Sequence, residues 1–165
     1  FFGFLLEISY AYVTQSRKPD RKCFCFLPLC PVYGFGALAI LGLPNFILTH
    51  PILLFLIGGL TATAAEYLTG FFYEYGTGVK FWDYTKSPGN ISGRICLLFT
   101  TFWSILALVL VFAIQPMAEI IIGMIPVTVW VLCFVLLAVD APLTLFVLKR
   151  SGTTEVLRWK QVRLQ

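Results

Sequence analysis

Three stretches of this sequence, from about Pro51 to Tyr75, Ile95 to Ile114 and Glu119 to Leu148, carry almost no charge. Each reaches or exceeds the ~20 predominantly apolar residues that a helix needs to cross about 30 Å of hydrocarbon. The whole chain of 165 residues is 59% apolar and only 12% charged, half the roughly 25% charge of an ordinary soluble domain. So little charge cannot cover a water-facing surface. A transmembrane barrel would show ~10-residue segments of alternating polarity, whereas these runs are continuous. The expected fold is therefore all-α: a polytopic transmembrane helical bundle.

In chain order, five spanning helices are expected. The first is Phe1 to about Val13, with Glu7 inside the apolar run. It is short for a span and has neither a basic leader nor a small-residue cleavage site, so an N-terminal piece is expected to precede it. A basic loop follows, with Arg17, Lys18, Arg21 and Lys22 around Asp20. The second segment, through Leu43, contains Pro28, Pro31, Gly34 and Gly36 and is expected to have a broken or re-entrant start. Such a start is tolerable at depth only where other helices shield its freed backbone groups.

The third segment places Gly59, Thr63, Glu66, Gly70 and Tyr73 at steps of three or four, on one helix face. A face of small residues lets another helix approach closely and points its carboxylate into the bundle. At about 1.5 Å per residue, Glu66 lies roughly 22 Å along the helix from Pro51, well inside the apolar core. The fourth segment is expected to stop at Gln115-Pro116, and the fifth, Glu119–Leu148, to be kinked by Pro126 and Pro142. The organisation expected is a membrane domain over residues 1–148 and a basic cytoplasmic tail over 149–165. In that tail Val156, Leu157, Trp159, Val162 and Leu164 alternate with basic residues, as in a helix lying on an anionic surface.

With five spans and the first loop cytoplasmic, all 12 Lys and Arg fall on one side. Four lie in the first loop, three (Lys80, Lys86, Arg94) in the central connection, and five after Leu148. The positive-inside rule then places the C-terminus in the cytoplasm.

Lesser signals narrow the function. Cys23-x-Cys25-x4-Cys30 lacks a fourth ligand and zinc-ribbon spacing, so no metal is assigned. Small apolar residues or palmitoylation targets are the favoured reading of these cysteines, with metal or redox work the alternative. The 165 residues hold no G-x-x-x-x-G-K-[ST] loop, G-x-S-x-G or H-E-x-x-H, so no Walker-type hydrolysis and no catalytic residue are assigned. No cofactor and no nucleic-acid partner are expected.

Around the centre, P-L-C-P-V-Y-G-F-G (Pro28–Gly36), A-E-Y-L-T-G-F-F-Y-E (Ala65–Glu74), W-D-Y (Trp82–Tyr84) and P-G-N-I-S-G-R-I-C-L with Phe102-Trp103 resemble a bacterial membrane family. It is the ABC-transporter permease family of the CmpB-like type. G-F-L-L-E (Gly3–Glu7) is similar to that family's opening motif, and the likeness runs from Phe1 to about Pro116. The sequence departs from it at Leu27, where a glycine is usual, and at Lys22-Cys23, where Arg-Gly is usual. The resemblance implies the bacterial inner membrane and a separate ATPase subunit.

Charge within apolar sequence marks the candidate site, because an unpaired charge at membrane depth costs several kcal/mol. Glu7 and Glu66 lie within apolar segments; Glu74, Asp83 and Arg94 are expected at the cytoplasmic interface beside Asn90, Tyr67, Trp82, Tyr84 and Trp103. Where two carboxylates sit close, one can hold a proton at neutral pH, which suits a proton- or cation-coupled site. The expected function is a transporter or permease subunit. Glu66 and Glu7 would line its midplane site, with Arg94, Asp83 and Asn90 gating the cytoplasmic mouth. The alternatives are an enzyme on lipid headgroups, with Glu74 or Asp83 as base and Arg94 for phosphate, and an accessory subunit docking a partner helix. Membrane lipids and a second copy or partner subunit are the expected neighbours.

Overall fold

A computed structural model describes residues 1–14 and 23–157. The first-loop charges Arg17 to Lys22 and the tail residues Trp159, Val162 and Leu164 lie outside the described residues. Among the described residues the architecture is helical, with a lone bridge between Ile91 and Ile95 and no strand. The helices are α1 (Phe2–Val13), α2 (Pro31–Leu41), α3 (Asn45–Leu48), α4 (Pro51–Thr77), α5 (Leu97–Met124) and α6 (Val127–Ser151). Three of them, α4, α5 and α6, are long and apolar enough to cross a membrane; α1 and α2 are apolar but have only 12 and 11 residues.

Proline chemistry sets the boundaries, and in one place it overturns the sequence expectation. The helix expected to stop at Gln115-Pro116 continues to Met124, so Glu119 belongs to α5. A π turn, Leu110–Ile114, precedes the proline, and the Gln115 N–H reaches back five residues to the Leu110 carbonyl. The wider turn skips a carbonyl where Pro116 has no N–H to give. The break comes instead at Ile125, whose ψ of 122° is extended, as the residue before a proline prefers. Helix α6 then runs through Pro142 without interruption.

The chain divides into two compact units. The second comprises Val32–Phe71 and Trp82–Trp130: α2, α3, α4 up to Phe71, the central connection and α5. Its core includes Ile40, Leu54, Ala62, Cys96, Trp103 and Ala107. Here α4 and α5 meet through the small-residue face. A Cβ on Gly58 would lie 3.0 Å from the Ala107 methyl, and one on Gly59 would overlap Ser104 Oγ and stand 2.9 Å from Ser104 Cα. Backbone cannot yield to such a contact, so glycine sets the approach. Buried hydroxyls in these apolar helices bond back one turn, Thr63 to the Gly59 carbonyl at 2.8 Å and Ser104 to that of Thr100 at 3.1 Å, so each is satisfied within its own helix.

The first unit comprises Phe1–Pro31, Phe72–Phe81 and the chain from Val131. It explains how the irregular approach to α2 is supported. Asp140, 2% exposed, accepts the Phe26 and Leu27 N–H groups on Oδ2 at 3.0 and 2.7 Å. Thr144, one turn along α6, donates to Asp140 Oδ1 at 3.2 Å and accepts the Cys25 N–H at 3.0 Å. Three successive amides without helical partners are thus held by one turn of α6. After α6, a 3-10 turn at Thr154–Leu157 buries Leu157 within this unit. Leu157, one of the apolar residues of the expected tail, is a core residue of this unit.

Gly59→Ala is expected to lower the unfolding midpoint in detergent, since overpacking costs about 1–3 kcal/mol. Gly76→Ala, whose Cβ would meet nothing within 4 Å, should leave the midpoint unchanged or raise it. Circular-dichroism melts of the two variants beside wild type check both.

Candidate functional site

Glu66 sits midway along α4 and is 4% exposed. Tyr84 donates its hydroxyl to Oε1 at 3.1 Å, and Trp103 donates its indole N–H to Oε2 at 3.0 Å. These donors come from different places, Tyr84 from the connection after α4 and Trp103 from the second turn of α5. Hydrogen bonds to a charged acceptor are shorter and stronger than neutral ones, and a carboxylate buried without them would be very costly.

Aromatic packing fixes both donors. The Tyr84 ring stacks on Phe99 with centroids 4.7 Å apart and planes at 19°. The Trp103 ring packs on Tyr33 at 5.1 Å, and its edge would contact a Cβ on Gly36 at 3.4 Å. One wall of the node is thus built by α2, a helix from which the sequence suggested no site residue.

The connection itself is folded, not a slack linker. The Tyr84 N–H bonds to the Gly93 carbonyl at 2.8 Å and the Ser87 N–H to that of Tyr84 at 2.8 Å. Asn90 Nδ2 donates to the carbonyls of Thr85 and Ser87 at 3.1 and 3.0 Å, and Asp83 Oδ1 accepts the Thr85 N–H at 3.0 Å. Gly93 has φ +68°, and a Cβ there would lie 2.8 Å from Thr85 Cγ2 and 2.9 Å from Asp83 Oδ1. Only glycine fits that turn. Asp83 and Asn90, expected as gate residues, hold the main chain of the turn that carries Tyr84.

Beside the node, Arg94 lies over the Tyr67 and Phe71 rings, with centroid distances of 5.4 and 5.6 Å. That is cation–π range. Trp82 donates its indole N–H to the Arg94 carbonyl at 2.7 Å, and its ring fills the space left by Gly70, where a Cβ would be 3.2 Å from it. Of the expected site residues, the structure therefore gathers Glu66, Tyr84 and Trp103 into one node and Tyr67, Trp82 and Arg94 into a second, along the same stretch of α4. Glu7 and Glu74 belong to the first unit. Glu7 is half-buried on α1, and Glu74 lies 3.6 Å from Lys80 Nζ.

Sequence reasoning missed Tyr33, Phe99 and the pair Asp140–Thr144. Asp140 carried a usable signal, a carboxylate in an apolar run with a threonine four residues on. Among the described residues no three His, Cys, Asp or Glu side chains gather as metal ligands would.

The family model described as "Putative ABC-transporter type IV" matches residues 1–145. No curated protein and no solved structure matches the chain.

Tyr84→Phe and Trp103→Phe are each expected to lower the unfolding midpoint, with a stability loss of about 1.5–3 kcal/mol for a bond to a charged partner. In a double-mutant cycle with Glu66→Gln, the costs should fall short of additivity by at least about 0.5 kcal/mol, the sign of direct coupling. Thermal melts of the four proteins in each cycle measure it.

Proposed function

This chain belongs to the ABC-transporter type IV family, and we propose that it is an integral membrane transporter or permease subunit whose polar centre is the carboxylate of Glu66. The observation that carries this reading is the burial of an acidic side chain in the interior of a membrane-length helix, served by donors from two other segments. Ionisable groups in such positions mark ion and substrate paths. In this proposal the carboxylate exchanges a proton or a cation, so that the site is proton- or cation-coupled.

The connection between α4 and α5 is the coupling element in this proposal. Tyr84 stands on that connection, and Trp103 on the helix that follows it, so a push on the turn alters the donors around Glu66. Arg94, Trp82 and Tyr67 anchor the turn to α4 next to the node. The family description supports an ATPase partner at the cytoplasmic face as the source of that push. Large apolar side chains such as Phe112, Phe134 and Phe146 are exposed along α5 and α6 and face lipid, a second copy or a partner subunit. The location is the bacterial inner membrane with the C-terminus cytoplasmic, in keeping with the one-sided distribution of Lys and Arg. The alternative of a lipid-headgroup enzyme draws less support, because Asp83 bonds the Thr85 amide and Glu74 lies beside Lys80.

In proteoliposomes, wild-type protein should carry a proton or monovalent-cation flux that Glu66→Gln reduces at least tenfold, followed with pH- and cation-sensitive dyes under an imposed gradient. Equal flux from the two proteins, or none from either, removes the coupled-site reading.

A further inference from the structure

Cys23 and Cys30 lie at the two ends of the irregular segment that leads into α2, and their sulfurs are 2.7 Å apart. Both are thiols in this structure. The separation is far closer than thiol sulfurs approach in ordinary packing, though longer than the 2.03–2.05 Å of a disulfide bond. The approach is built by the surrounding structure, because the amides of Cys25, Phe26 and Leu27, between the two cysteines, are pinned by Thr144 and Asp140 of α6. That clamp holds the bend and with it the two sulfurs. The residues differ in access: Cys30 is buried at 8% exposure, whereas Cys23 is half-buried. The other three cysteines, Cys25, Cys96 and Cys133, are not part of this contact.

We propose that Cys23 and Cys30 form a reversible dithiol–disulfide site that reacts with low-molecular-weight disulfides. The more accessible Cys23, as thiolate, attacks one sulfur of the small disulfide, forming a mixed disulfide and expelling one small thiolate. The Cys30 thiolate then attacks Cys23 Sγ, forming the Cys23–Cys30 bond and expelling the second small thiolate. Two electrons pass from the two cysteines to the small disulfide, and the two cysteine protons end on the two thiols released. The attack order follows accessibility, and closure is fast because the second thiol is already in place. Excess small thiol runs the same steps backwards. The closed bond ties the two ends of the Cys23–Cys30 segment together, so the pair sets how freely the approach to α2 can move.

The full chain, purified in detergent under reducing conditions, is incubated with oxidised glutathione and then alkylated with a maleimide. Two of the five thiols should become unreactive, and dithiothreitol should restore both. Chymotryptic fragments on either side of Phe24 and Phe26 should appear linked through Cys23 and Cys30, lighter by two hydrogens. Cys30→Ser should stop at one glutathione bound to Cys23, and Cys23→Ser should leave Cys30 unmodified over the same time. Glutathione remaining on Cys23 in the wild-type protein, a link through Cys25 instead, or five reactive thiols throughout overturns the proposal. The wild-type peptide map decides the matter even where a serine variant fails to fold.

Discussion

A carboxylate in the interior of an apolar helix must receive hydrogen-bond donors from other segments, and most of the second unit follows from meeting that need for Glu66. Leaving a buried charge without partners costs several kcal/mol, a large part of a domain's net stability. Bringing Trp103 to Glu66 requires α5 to lie against α4, and Gly58 and Gly59 permit this by leaving room for Ala107 and Ser104. Bringing Tyr84 to the other oxygen requires the chain to turn back tightly after α4. Gly93, at φ +68°, and the amide and carboxylate bonds of Asn90 and Asp83 make that turn. Gly70 then gives Trp82 the space to close the turn onto the helix.

The first unit has its own buried carboxylate, and the contrast is informative. Asp140 and its neighbour Thr144 receive three consecutive main-chain amides. Main-chain amides of one short segment cannot be withdrawn singly, so Asp140 acts as a clamp whose loss would free a whole bend. Glu66 is served by two side chains on separate segments, each with its own rotamer and its own aromatic partner. A shift of the connection or of α5 can change one donor without the other. Such an arrangement can respond to a partner as well as hold a fold, which is why the functional proposal rests on Glu66 and not on Asp140. The same clamp also presents Cys23 to Cys30, so one buried acid organises both the bend and its thiol chemistry.

How much was legible in the sequence differs by residue. The apolar runs identified the helices, because burying backbone in hydrocarbon allows little else, and steps of three and four placed Glu66 on a face with Gly59. Glu66, Tyr84, Trp103, Arg94, Tyr67 and Trp82 were all nominated from charge and aromatic content next to apolar sequence. Their grouping into two nodes was not visible, since which donor reaches which acceptor depends on contacts separated by 18 and 37 residues. Pro116 misled because a proline reads locally as a helix stop, whereas a π turn just before it removed the need for its N–H. Asp83 and Asn90 bond main-chain groups of their own turn, which their composition did not reveal, because a polar side chain facing its own turn has the same composition as one facing a ligand.

The sequence by itself determined the class of the protein, its long apolar helices, its family and the position of Glu66 within an apolar helix, because hydrophobic periodicity and the cost of intramembrane charge are local properties of the chain. Only the tertiary structure decided that Tyr84 and Trp103 are the donors to Glu66, that Asp83 and Asn90 serve the turn, and that Asp140 holds the approach to α2. Each of those pairings joins residues far apart in the chain, and hydrogen-bond geometry at about 3 Å is fixed by packing that no local pattern encodes.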